Sequence, residues 1–165
     1  MCIYNYMQMH LMQVHPLGSG AVDDDLLGAW RGFLNAHAHI TRRISKDLAE
    51  AGLPDLSWYD VLWAIYDSPG KALRVNELAK AVVLSPTAMS RFVDRVEKAG
   101  YVRRATDPDD RRALKIEITP AGVDLLREMW PIYRRGIEEY FGSHVGRSAA
   151  RTRAMLERMV DGSAK

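Results

Sequence analysis

The chain has 165 residues, 47% hydrophobic and 27% charged, with a net charge of +2. That length suits one domain with helical extensions, and the balance is that of an ordinary soluble globular protein. The single cysteine, Cys2, excludes an intramolecular disulfide and a multi-cysteine metal site, and no run reaches the roughly 20 apolar residues of a membrane helix.

The charge is unevenly spread. Residues 74–115 hold ten Lys and Arg against six Asp and Glu, so the positive charge concentrates there and the remainder is slightly acidic. The first basic residue is Arg31. A secretory leader therefore has no positive segment to begin it, and a cytoplasmic location is expected.

Residues 1–20, rich in Met, His and Tyr and ending in Pro16-Leu17-Gly18-Ser19-Gly20, read as an arm. The division expected is an arm over 1–22, a dimerisation helix over 23–56, a DNA-binding unit over 57–118 and C-terminal dimerisation helices over 119–165. Asp23-Asp24-Asp25 supplies a cap and negative charge for a helix N-terminus. Leu27, Trp30, Leu34, His37, Ile44 and Leu48 then form one stripe of a long amphipathic helix that ends near Gly52-Leu53-Pro54. Ser57 is the expected cap of a second helix carrying Trp58, Leu62, Ile65 and Tyr66, and Ser68-Pro69-Gly70 stops it.

Residues 74–100 read as two short helices joined by a tight turn. Ser85-Pro86-Thr87 opens the second, with Ser as N-cap and Pro at the first position. Met89, Phe92, Val93 and Val96 share one face; Thr87, Ser90, Arg91, Asp94, Arg95 and Lys98 share the other. Two strand-like runs follow, 101–106 and 113–118. Leu114, Ile116 and Ile118 alternate with Lys115 and Glu117, the period of a half-buried strand. The loop between them, Asp107-Pro108-Asp109-Asp110-Arg111-Arg112, makes a hairpin with two arginines at its tip. A helix-turn-helix with a basic hairpin behind it is a winged helix-turn-helix, whose usual partner is duplex DNA.

Thr119-Pro120 starts another helix, carrying Leu125, Leu126, Met129, Tyr133, Ile137 and Tyr140, with Pro131 inside it as a potential kink and Gly142 closing it. A last, Arg-rich helix is expected from Arg147 to Val160. The predicted fold is mainly α with a small β-hairpin wing, an α+β winged helix-turn-helix. Its long terminal helices bury little against so small a winged unit, so a twofold dimer follows.

Short hydroxyls at Ser85, Thr87 and Ser90 can approach bases and phosphates. Arg91 and Arg95, one turn apart, can reach guanine edges, and Lys98 and Arg103 add phosphate contacts. Arg111 and Arg112 can enter a minor groove, with Asp107 and Asp110 aiming them through bidentate pairs.

Glu77-Leu78-Ala79, Leu84 to Arg91, Val93 to Val102, Asp107 to Ala113 and Ile118 to Gly122 together resemble the MarR family of bacterial transcription regulators. The resemblance spans 24–160. It implies a homodimer on a palindromic operator, often a repressor relieved by a small phenolic or other ligand. It matches Arg111 and Arg112 to the family's wing-tip arginines and Asp107 and Asp110 to its paired acidic positions. Arg74, where the family usually has Thr or Ser, and Val83, a turn position often held by Gly, depart from the pattern.

The resemblance also implies an effector pocket where the first two helices and the dimerisation helix meet the winged unit. Trp30, His37, Trp58, Tyr59 and Trp63 are the candidates, suited to an aromatic ligand. No metal or cofactor is expected, because His37 and His39 are two apart on a helix and point away from each other. No phosphate loop, nucleophile elbow or metal-binding His-Glu pair suggests catalysis. The reading is a homodimeric DNA-binding repressor responsive to a small molecule. The alternative is a dimeric interaction protein that has lost specific DNA binding, against which the wing-tip arginines argue.

Overall fold

The computed structural model describes residues 22–82, 85–106 and 113–162. Helices α1 (Asp24–Glu50), α2 (Leu56–Tyr66), α3 (Val75–Ala81), α4 (Pro86–Lys98), α5 (Pro120–Gly136) and α6 (Ala149–Asp161) alternate with strands β1 (Ala72–Arg74), β2 (Val102–Thr106) and β3 (Leu114–Ile118). By internal contacts the chain divides between His37 and Ala38.

In the N-terminal unit, the Asp23 side chain accepts from the Leu26 N–H at 3.0 Å and so caps α1. Trp30 and Phe33, one turn apart, stack with ring centroids 6.1 Å apart, and both are about half exposed. His37 is exposed. The stripe read from the sequence is therefore uneven: Ile44 and Leu48 are fully buried, whereas Trp30 and His37 are not.

In the second unit a single core joins α1, α2, α3, α4, the sheet and α5 through Leu48, Leu62, Ile65, Leu78, Met89, Ile116 and Met129, all at 0% exposure. Helix α2 starts two residues earlier than expected. Asp55, not Ser57, is its cap, its carboxylate accepting from the Ser57 N–H at 2.9 Å. A carboxylate at the cap position satisfies an otherwise orphaned amide and favours the positive end of the helix dipole.

The sheet has a third strand that side-chain alternation could not reveal, because β1 is only three residues long. It pairs antiparallel with β3, placing Leu73 opposite Ile116, and β3 pairs in turn with β2, placing Arg104 opposite Ile116. Arg74 then leads directly into α3. Its backbone N–H donates to Glu77 Oε2 at 2.8 Å, half of a capping box that does without a Ser or Thr cap.

The C-terminal segment departs further from expectation. Pro131 sits within α5, which runs on past it to Gly136. The chain then widens into a π-helical stretch, Ile137–Gly142, where closure by Gly142 was expected. The final helix begins at Ala149 rather than Arg147. Tyr140, on the π-helical stretch, donates its hydroxyl to Asp47 of α1 at 2.7 Å, and the Arg43 guanidinium lies 3.9 Å from the Tyr140 ring centre.

Candidate nucleic-acid interface and cavity

Helix α4 is set by signals at both ends. Ser85 Oγ accepts from the Ala88 N–H at 3.2 Å, and Pro86 occupies the first helical position. At the other end Gly100 adopts φ +84°, with its N–H on Glu97 O at 2.8 Å and the Tyr101 N–H on Val96 O at 3.1 Å. This pair of bonds is a Schellman closure, and its left-handed residue is tolerated best as glycine.

Between these ends Met89, Phe92, Val93 and Val96 are buried. Thr87, Arg91, Arg95 and Lys98 are exposed on the opposite side, with Ser90 half-buried at its margin. The Arg95 guanidinium lies over the Phe92 ring at 4.9 Å from its centre. The helix thus presents hydroxyls near its N-terminus and three cations along one solvent face.

The turn before α4 and the hairpin tip, and with them Val83, Asp107, Asp110, Arg111 and Arg112, lie outside the described residues. The strands that carry the hairpin are defined. Arg103 faces solvent on β2, with Nε and a terminal nitrogen 2.8 and 2.7 Å from Glu117 Oε2 on β3. Its charge is therefore partly spent across the hairpin.

Arg104, one residue on and absent from the sequence-based candidates, points the other way. It meets Asp94 at 2.5 Å and pairs with Glu97, while its backbone N–H donates to Glu97 Oε1 at 2.9 Å. The hydrogen bond that Arg104 donates to Asp94, then the charges of Glu97 and Asp94, raise the Arg104 pKa against the opposing effect of burial. The polar face of α4 thus serves two purposes: Asp94 and Glu97 hold the wing, and Arg91, Arg95 and Lys98 remain directed outward.

A second junction fixes α4 to α5. Thr119 Oγ1 donates to Gly100 O at 2.7 Å and accepts from the Gly122 N–H at 3.1 Å, and the Thr119 N–H donates to Tyr101 O at 3.0 Å. A Cβ on Gly122 would lie 2.2 Å from Tyr101 O, so the first turn of α5 can approach this close only as glycine.

A cavity of about 550 Å³ opens between α2 and α5. Of the five pocket candidates, Tyr59 and Trp63 line it. Trp58 instead packs edge-on against Phe92 of α4, the proposed recognition helix, and Tyr101, with centroids 6.0 and 5.9 Å away, half-buried against the core. Trp30 and His37 belong to the N-terminal unit and are not among the lining residues.

Sequence reading missed Tyr66, Trp130 and Tyr133 in this wall. The signal was present: Trp130, Tyr133 and Ile137 recur at three and four residues. Tyr133 and Ile137 were assigned to a dimerisation stripe, and one helical face can line a cavity as readily as meet a partner.

A helix-turn-helix whose second helix is buttressed by an antiparallel hairpin and enclosed by long flanking helices defines a winged helix-turn-helix protein. The MarR family model matches residues 51–113. The transcriptional regulator HosA of Escherichia coli O111:H- is 31% identical over 111 residues, covering 66% of this chain and 81% of HosA. The regulator PrsX of Escherichia coli is 28% identical over 109 residues, and the match spans 66% of this chain and 65% of PrsX. Among solved structures, Sco3205, a MarR family regulator from Streptomyces coelicolor in complex with DNA, superposes with a TM-score of 0.77 at 24% identity, covering 89% of this chain and 92% of that one. The chain belongs to the MarR family. Among the described residues no helix is long and apolar enough to cross a membrane, and no group of three His, Cys, Asp or Glu side chains is placed to hold a metal.

Proposed function

We propose that this protein regulates transcription by binding a pseudo-palindromic operator as a homodimer, acting as a repressor that a small molecule releases. The observation that carries the reading is the outward face of α4. Its core side is fully committed, its wing contacts are taken up by Asp94 and Glu97, and Arg91, Arg95 and Lys98 still face solvent next to a capped N-terminus. That arrangement suits insertion into a major groove. The DNA complex of Sco3205 supports this use of the fold.

In this proposal Arg111 and Arg112 contact a minor groove, and Asp107 and Asp110 orient them. Ser85, Thr87, Ser90 and Arg103 complete the proposed contacts. Dimerisation is supported by apolar side chains left in water at both ends of the chain: Leu26, Trp30 and Phe33 on α1, and Met155, Met159 and Val160 on α6. Release is supported by the cavity, whose α5 wall is bonded through Thr119 to the end of the recognition helix. A ligand acts through that junction only by its differential affinity for the DNA-competent and DNA-incompetent states.

Footprinting of the protein on the DNA flanking its own gene tests the proposal. Protection of two half-sites one helical turn apart is expected. Uniform, sequence-independent binding would leave only a dimeric interaction protein.

A further inference from the structure

We propose that the Phe92 ring holds the Arg95 guanidinium ready as a clamp on the DNA backbone, leaving Arg91 to read base edges. The inference rests on the outward face of α4 meeting DNA and divides the work among its cations.

The two arginines differ in setting. Arg91 is exposed, and among the described residues its side chain makes no ion pair or ring contact. Arg95, one turn on, makes no ion pair either, but its guanidinium carbon lies over the Phe92 ring, 4.9 Å from the centre. Phe92 is 6% exposed and fixed in the core, where Trp58 of α2 meets its ring edge-on at 6.0 Å and 63°. Tyr101 braces Trp58 in turn, at 5.9 Å and 81°. A guanidinium this near a ring face is attracted by the negative lobe of the aromatic quadrupole. Asp94, the nearest carboxylate in sequence, is committed to Arg104 and does not compete for it.

Position along the helix separates the two roles. A recognition helix reads bases mainly from its N-terminal turns. At the rise of an α-helix, Arg91 stands about 8 Å and Arg95 about 14 Å along the axis from Pro86, against a major groove about 12 Å wide. Arg95 therefore falls at the groove rim, where the phosphates stand. Its side chain is also drawn back onto the flank of its own helix, which shortens its reach toward the groove floor. A long side chain already held in place loses less freedom when it binds, so the ring makes the clamp stronger without adding a charge.

The test titrates the full-length protein, over a range of salt, on a duplex of the DNA flanking its own gene and on a scrambled duplex of equal length and composition. Arg95→Ala should weaken binding to both duplexes by the same factor, about tenfold, and lower the log–log salt slope by about one. Arg91→Ala should instead narrow the preference between the duplexes. Phe92→Leu keeps the core apolar and leaves Arg95 charged. The salt slope should therefore hold while affinity falls about three- to tenfold, the factor for ordering one long side chain afresh. In the Arg95→Ala background, Phe92→Leu should weaken binding no further. Thermal unfolding checks that the variant folds, and Phe92→Met replaces it if it does not. Unchanged affinity in Phe92→Leu, or a loss that persists in the Arg95→Ala background, overturns Phe92 as a positioning residue. Lost preference between the duplexes in Arg95→Ala, at an unchanged slope, overturns the clamp and leaves α4 on the DNA. If neither arginine variant alters binding to either duplex, α4 does not face DNA, and the functional reading falls with the proposal.

Discussion

The Arg104 guanidinium reaches from β2 to Asp94 of the recognition helix at 2.5 Å and fixes the angle between helix and wing. Glu97, one turn on, holds the same guanidinium and also accepts the Arg104 backbone N–H, so one side chain bridges successive turns of the helix. A rigid joint here sets how the strands β2 and β3 stand against the helix.

Replacing Arg104 by Met, which preserves apolar length, removes the joint. The pair is partly exposed, so the loss of stability should be modest, about 1 kcal/mol, as for other screened ion pairs with good geometry. DNA affinity should fall by more than the stability does. Equilibrium unfolding in urea alongside a gel shift separates the two, and equal losses would mean that the joint stabilises the fold without positioning the wing.

Gly122→Ala should be among the most damaging single-methyl additions in the described chain. The new Cβ would fall 2.2 Å from Tyr101 O, a backbone atom that cannot swing aside. A cost of about 1–3 kcal/mol is expected from overpacking, with the Thr119 cap and the closure at Gly100 disturbed together. The urea midpoint reads the cost. Slowed exchange of the Tyr101 and Thr119 amides, instead of faster exchange, would contradict this account.

These two relationships mark where sequence reading stops. The cap at Ser85, the buried face of α4 and the glycine closure were legible because each is local: a residue type, a spacing and a turn. Arg104 was not, because adjacent Arg103 and Arg104 look alike in sequence, and only the alternation of β2 sends one to Glu117 and the other to Asp94 and Glu97. Strand β1 was illegible because three residues carry no period. Trp58 and Trp63 both read as pocket aromatics, yet five residues of α2 turn one into the core and the other onto the cavity. The two-fold use of an apolar helix face, as cavity wall or as partner surface, is decided by what packs opposite it.

Stability should decline above pH 10. Burial first, and then the Asp60 charge, raise the pKa of both Tyr59 and Tyr133 above the ordinary value of 10.0, and Tyr133 adds to the rise at Tyr59. The sign follows from proton linkage. A folded-state pKa above the unfolded one leaves stability intact below pH 10 and removes it as pH rises, because the unfolded chain releases those protons first. Tyr59→Phe with Tyr133→Phe should flatten the fall in melting temperature between pH 9 and 11.5 relative to its neutral value. Some slope remains from Tyr140, whose hydrogen bond to Asp47 also raises its pKa. An unchanged slope in the double variant would show that other groups dominate alkaline unfolding.

Dimerisation should depend on the exposed apolar edge of α6. Met155, Met159 and Val160 are 42%, 61% and 76% exposed; Met155 and Met159, four residues apart, share a face, and Val160 is the next residue after Met159. Left in water, they stabilise nothing in the single chain; covered by a second copy, they would bury apolar surface worth about 25 cal/mol per Å². Met159→Glu should therefore leave the melting of an isolated chain unchanged while shifting the dimer–monomer equilibrium toward monomer. Sedimentation velocity over nanomolar to micromolar concentration reads the shift directly. The DNA consequence follows from geometry: a monomer engages one half-site, so the operator affinity of the variant should drop steeply while its affinity for a single half-site should not. Loss of dimer without loss of operator preference would show that the two recognition helices act independently, and would remove the twofold operator from the proposed function.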